Sequence, residues 1–281
     1  MRKLLGCVLT LVASGGDYLD HGLRSVRSWR VVLRVFELAS AQRVVVRAVW
    51  GLATFLGLGS PALAGDCRLA LVLALDVSSS VDAAEDRLQR EGLARALLAP
   101  RVVRAFEQGA SVAVYVFEWS GRAPEQATLP GWQLVESERD LMRIARAIAH
   151  SHARPGYRPH SSTALGGALR HAAAALEAAP DCHAQIVDIA GDGQNNIGIE
   201  PQVAYELTSF NNVTVNALIV GEADDSTGLV AWFQAEVLHG PGAFWILADG
   251  YDDYERAMAA KLERELELPL VSGMLLAGGG A

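Results

Sequence analysis

The chain has 281 residues, is 51% hydrophobic and 20% charged, and carries a net charge of −8. That is enough apolar material for one sizeable core, and it excludes a chain too polar to fold. The charge is unevenly spread: residues 1–64 hold 8 Lys/Arg against 3 Asp/Glu, whereas residues 65–281 hold 16 against 29, with Lys261 as their single lysine. So acidic a body excludes an extended nucleic-acid surface, which needs a basic stripe.

Residues 43–64 read as a secretory signal. Arg43 and Arg47 give a basic start, Ala48–Gly59 an apolar run too short to span a bilayer comfortably, and Ala62-Leu63-Ala64 a small-x-small cleavage site before Gly65. A signal should open a chain, yet 42 residues precede this one. The expectation is a true start near Val44–Val46, with residues 1–42 not part of the native protein or disordered; Leu4–Ala13 as part of a longer targeting segment is the alternative. Export to the periplasm or the outside follows from the signal.

After it, Leu69–Leu75 is a short, near-continuous apolar run, as expected of a strand covered on both faces. Asp82, with Glu85 three residues on, has capping-box spacing for a helix bearing Val81, Ala84, Leu88, Leu93, Ala96 and Leu97 on its apolar side and ending at Pro100. Ser111–Phe117 is a second strand. Trp132–Val135 is a short edge strand that can run antiparallel to it, and Glu138–Ala149 is a helix. His150–Ser162 is a loop whose His150, His152 and His160 read as solvated side chains rather than metal ligands, since no cysteine or glutamate accompanies them. Ala164–Ala178 is an alanine-rich helix whose Gly166 and Gly167 allow close approach to a neighbour. Gln185–Ala190 is another buried strand. Pro201–Leu207, Thr227–Leu238 and Tyr251–Leu266 are helices, interleaved with strands Val213–Val220 and Ala243–Ala248. Residues 269–281 read as a flexible tail. Strands alternating with helices predict an α/β fold: a doubly wound, mostly parallel six-stranded sheet over residues 65–268 with helices on both faces.

In such sheets ligands bind outside the carboxyl ends of strands. Two polar turns fall at that edge. Asp76, Ser78 and Ser80 form a D-x-S-x-S turn after the first strand, and Gly191-Asp192-Gly193 follows the strand Gln185–Ala190. One carboxylate and two hydroxyls are hard oxygen donors that suit Mg²⁺ or a similar divalent ion. Alone, D-x-S-x-S equally describes a strand running into a capped helix. Cys67 and Cys182 precede Asp76 and Asp192 by 9 and 10 residues. If those aspartates end adjacent parallel strands, a disulfide at the opposite strand ends is reasonable; two free buried thiols are the alternative.

Taken together, D-V-S-S-S at Asp76–Ser80, the lone threonine Thr163 in S-T-A-L-G-G-A-L, and G-D-G around Asp192 resemble the three motif segments of von Willebrand factor A domains. The resemblance covers about residues 67–268. E-W-S-G at Glu118–Gly121, G-D-G-Q-N-N at Gly191–Asn196 and G-P-G-A-F at Gly240–Phe244 look like an exported bacterial branch of unknown function. The resemblance implies a metal-ion-dependent adhesion site in which Asp76, Ser78, Ser80, Thr163 and Asp192 hold Mg²⁺, Mn²⁺ or Ca²⁺. A protein partner would supply an acidic side chain to the ion. Glu118 and Trp119 are candidates for the rim or second sphere of this site, with plain packing the alternative for Trp119. Asn195 and Asn196 read as turn formers or second-sphere groups, and Asp188 as a buried, hydrogen-bonded carboxylate. No Ser-His-Asp or Cys-His arrangement is brought together; Ser78 and His171 coexist without anything setting them adjacent. A metal-assisted hydrolase with Glu118 as general base, and a structural domain with an unused site, are the competing expectations.

Overall fold

A computed structural model of the chain describes residues 67–121, 126–151, 162–222, 224 and 226–277, with backbone alone for 126 and 268–277. The expectations for residues 1–64, and those for His152 and His160, lie outside the described residues. The sheet runs β1 (Cys67–Asp76), β2 (Ser111–Trp119), β3 (Gln126–Ala127), β4 (Gln133–Val135), β5 (Cys182–Gly191), β6 (Val213–Gly221) and β7 (Trp245–Asp249). Their order across the sheet is β3-β2-β1-β5-β6-β7, with β4 also paired to β2. The predicted edge strand is therefore two short antiparallel segments sharing the sixth position, β3 beside Phe117 and Glu118 and β4 beside Val112–Val114. All other pairings are parallel.

The helices are α1 (Ala83–Leu97), α2 (Pro100–Glu107), α3 (Glu138–Ala149), α4 (Leu165–Glu177), α5 (Pro201–Leu207), α6 (Thr227–Glu236) and α7 (Tyr254–Ala277), with a 3₁₀ turn at Tyr251–Asp253. Two corrections concern helix ends. Pro100 does not merely stop a helix: it sits at the first position of α2, where its missing N–H is not needed and its fixed φ suits a helical start. The backbone of α7 runs on to Ala277, past the end expected at Leu266. Among the described residues no helix is long and apolar enough to cross a membrane.

Strand period puts successive side chains on opposite faces. Leu69, Leu71, Leu73 and Leu75 of β1 face one core with α1, α2, α3 and α7, and Ala70, Val72 and Ala74 face a second with α4, α5 and α6. The capping box of α1 forms in full: Asp82 Oδ1 accepts from the N–H groups of Ala84 and Glu85, and Glu85 accepts from Asp82 N–H. At the foot of the sheet, Cys67 and Cys182 are register partners joined by a disulfide, with Cα atoms 4.5 Å apart. Beside them, buried Arg68 donates to the carbonyls of Ala105, Ala110 and Leu266, which ties the ends of α2 and the packed part of α7 to the start of β1. Small residues set the layer spacing at α4. A Cβ on Gly166 would lie 2.1 Å from the Ile199 carbonyl oxygen, so glycine is what lets the Gly198–Glu200 segment cross that helix.

Candidate metal centre

β1 and β5 are adjacent and in register, which brings the turns after Asp76 and Gly191 side by side at the carboxyl edge. Asp76 has no solvent exposure. Its Oδ1 accepts the Ser78 N–H at 2.7 Å, the short-range bond that Asp favours at a turn. The hydroxyls of Ser78 and Ser80 lie 3.0 Å apart, and Ser80 donates to Asp192 Oδ1 at 2.7 Å. A line of oxygens thus runs from the first turn to the second.

Thr163 joins this pair of turns through a two-way clasp. Its N–H donates to Asn196 Oδ1 at 2.8 Å, and its carbonyl accepts the Asn196 N–H at 2.9 Å. Asn195 Oδ1 accepts the Gly166 N–H, one of the orphan donors at the start of α4, and its amide donates to Glu200. The Cβ position of Gly193 is 3.6 Å from Thr163 Oγ1, so the Asp192 turn passes directly over the threonine hydroxyl. Asn195 and Asn196 therefore brace the turns through these bonds.

Burial pushes the Asp76 carboxyl up to about 7, and the neighbouring Asp192 charge adds to the rise; the Ser78 backbone and hydroxyl and the Asp192 N–H oppose it. Asp76 Oδ2 is buried without a hydrogen-bond partner. Two facing carboxylates with an orphaned oxygen and three nearby hydroxyls fit a divalent cation, which would supply the missing positive charge. The donors are all oxygens. Among the described residues no group of three or more His, Cys, Asp or Glu is placed to hold a metal, and the His150 ring lies 2.8 Å from the Arg146 carbonyl instead.

The remaining candidates separate. Trp119 is 1% exposed, so it packs beneath the site and does not form a rim. As the register partner of Asp76 it is the last residue of β2, and its ring turns inward toward Gly191 on the α4 face. Glu118, one residue earlier, points to the other face and lies 3.8 Å from Arg90, whose guanidinium also forks onto Asp86. Asp188 sits lower in β5, beside Leu73, in a buried ion cluster. Lys261 Nζ is 2.6 Å from Asp188 and 2.5 Å from Glu265, and Asn216 bridges Glu265 to the Phe244 N–H. One lysine thus faces two buried carboxyl groups in the core. Burial, and secondarily the Glu265 charge, raises the Asp188 carboxyl to about 7 against the pull of Lys261. His171 lies 3.1 Å from the Tyr115 hydroxyl. Tyr115 pairs with Val72, four residues below Asp76 or roughly 13 Å along the strand, so no Ser–His pair forms with Ser78.

Two further residues have no signal in the motifs. Gln89, 1% exposed on α1, donates its amide to the Asp76 carbonyl at 2.9 Å and fixes the strand end. Only the helical spacing from the Asp82 cap, two turns on and facing the sheet, could have pointed to it. Tyr251 follows β7 with a buried, unpartnered hydroxyl, and burial with the charges of Asp192 and Asp76 raises its phenol well above the usual range.

Comparison with known proteins agrees with this architecture. Proximal thread matrix protein 1 of the mussel byssus, in the structure with a zinc-occupied MIDAS motif, superposes with a TM-score of 0.50 at 16% identity, covering 72% of this chain and 48% of that one. This chain thus spans about half the length of the mussel protein it matches. A von Willebrand factor type A structure from Catenulispora acidiphila gives 0.49 at 16% identity over 72% of this chain and 43% of that one. Manganese-loaded TRAP protein of Plasmodium vivax gives 0.45 at 14% identity, covering 71% and 73%. No curated protein matches the chain. The fold is von Willebrand factor A-like. A family model described as protein of unknown function DUF1194 matches residues 66–269, and the chain belongs to that family.

Proposed function

We propose that this protein is an exported, divalent-cation-dependent binding module. Asp76, Ser78, Ser80, Thr163 and Asp192 hold Mg²⁺, with Mn²⁺ or Ca²⁺ as substitutes, and the ion engages an acidic side chain of a partner protein. The observation that carries this reading is the oxygen line Ser78–Ser80–Asp192 beside the buried, unpartnered Oδ2 of Asp76. When bound, the ion supplies an electrophilic centre for an outside carboxylate. The chain supplies the rest: two carboxylates balance the charge while neutral hydroxyls donate weakly, so the centre keeps its pull on an external ligand. The zinc-occupied MIDAS motif of the mussel protein, on the same fold, supports the reading.

We place the protein among binders and not among enzymes. Glu118 is the general base that a hydrolase would use here, and its pairing with Arg90 on the opposite face of β2 argues against that use. The basic, apolar and small-residue order of residues 43–64 is the support for export. The test is calorimetric titration of Mg²⁺ and Mn²⁺ into the full chain and into Asp76→Ala. One saturable site in the wild type, lost in the variant, is the expected result. Heats without saturation in the wild type would overturn the assignment.

A further inference from the structure

Two buried polar atoms near the metal centre lack partners on the same side of the sheet: Asp76 Oδ2, an acceptor, and Trp119 Nε1, a donor. They belong to neighbouring residues in register on β1 and β2. The Val77 N–H donates to the Trp119 carbonyl at 2.9 Å, which locks the two strand ends together. Gly191 brings the side chains to one place. Its Cβ position lies 3.3 Å from Asp76 Oδ2 and 3.4 Å from Trp119 Cζ2, so the two atoms line the same notch. The ring atoms nearest the notch are Cζ2 and Cη2, at 3.4 and 3.6 Å, and Nε1 lies two bonds from Cζ2. A side chain on residue 191 would crowd between them.

A buried indole N–H without a partner destabilises the fold, and a buried carboxylate oxygen does so more. Such atoms in native proteins are satisfied by one another or by an ordered water. We propose that Trp119 is a positioning residue of the metal centre, its indole N–H reaching Asp76 Oδ2 through one buried water. With the Ser78 N–H on Oδ1, the carboxylate is then held at both oxygens, and its plane is fixed relative to the serine hydroxyls. Groups that orient metal ligands in this way change affinity by about 10–100-fold when removed. The motif positions alone do not include this residue, because the donor comes from the neighbouring strand.

The functional arm rests on the metal-binding reading above; the pairing itself does not. The first measurement therefore uses metal-free, full-length wild-type protein. The indole N–H resonance of Trp119 is assigned by its contacts to Gly191 and compared with that in Asp76→Ala. A charged acceptor draws an N–H proton downfield, so the signal moves upfield in the variant. A resonance that does not move upfield overturns the proposal, and this arm does not depend on whether Trp119 can be replaced. The second measurement is Mn²⁺ titration of Trp119→Phe, with Trp132→Phe as control for loss of an indole elsewhere. Affinity at least about tenfold weaker in Trp119→Phe alone is expected. Equal affinity in the two variants overturns the positioning role. A wild type that binds no Mn²⁺ refutes the proposed function, while the metal-free comparison still decides the Trp119–Asp76 pairing.

Discussion

Replacing Asp76 by asparagine should make the metal-free protein more stable while abolishing metal binding. The wild-type carboxyl is raised from 3.8 to about 7 by burial and by Asp192. A folded-state value above the unfolded one means that the native state holds the proton more tightly. The associated stability is fully present below pH 3.8, falls as pH rises toward 7, and stays lost above it. At pH 8 the ionised, unneutralised carboxylate costs the folded state about 4 kcal/mol. Asparagine removes the charge and keeps an oxygen for the Ser78 N–H, but leaves an amide where Oδ2 was, at a cost of about 1–3 kcal/mol. The net gain is about 2 kcal/mol at pH 8, a rise of roughly 4–8 °C in Tm for a domain of this size. Thermal melts with chelator at pH 8 and pH 4 check this: the gain should be large at the first and absent at the second. A variant that melts below the wild type at pH 8 would refute the reasoning, because ionising the buried carboxylate would then cost less than burying the amide in its place.

Two further outcomes follow from the packing. Lys261→Met leaves Asp188 and Glu265 buried without their cation, and should destabilise by about 3–5 kcal/mol near neutral pH; because Asp188 titrates upward in the fold, the deficit should shrink as pH falls below about 7 in urea titrations. Gly166→Ala gains about 1 kcal/mol of helix propensity, yet its methyl meets the Ile199 carbonyl oxygen at 2.1 Å. Overpacking of that kind costs about 1–3 kcal/mol, so a lower Tm is expected, accompanied by loosening of the Asn195 contact to α4.

The parts of this molecule that follow local rules were legible in the sequence. β1 announces itself by a run of apolar residues, α1 by its Asp82–Glu85 box, and α3 and α5 lie where periodicity and Pro201 put them. α2 was hidden because proline ends one helix and begins the next with the same residue. At the site, D-x-S-x-S shows because a single turn contains all three residues. The inward turn of Trp119 does not, since it depends on which strand lies beside β1 and at what offset. The same holds for the Gln89 contact to Asp76 and the Lys261 contact to Asp188, each between elements remote in sequence: a glutamine or lysine on an amphipathic helix carries no mark of the carbonyl or carboxylate it meets on a strand.

The Cys67–Cys182 bridge has a consequence for the opposite end of the sheet. Parallel neighbours have no hairpin to set their alignment, and the bridged cysteines that start β1 and β5 lie 115 residues apart in sequence. Sliding one strand by a single residue would invert every side chain on it. Asp76 would then face the wrong layer while Asp192 stayed in place. A covalent tie at the foot works as a datum from which both strands count upward, eight paired positions from Cys67↔Cys182 to Leu75↔Ala190. Two oxygens on separate turns are thereby levelled by sulfur chemistry at the far pole of the same strands.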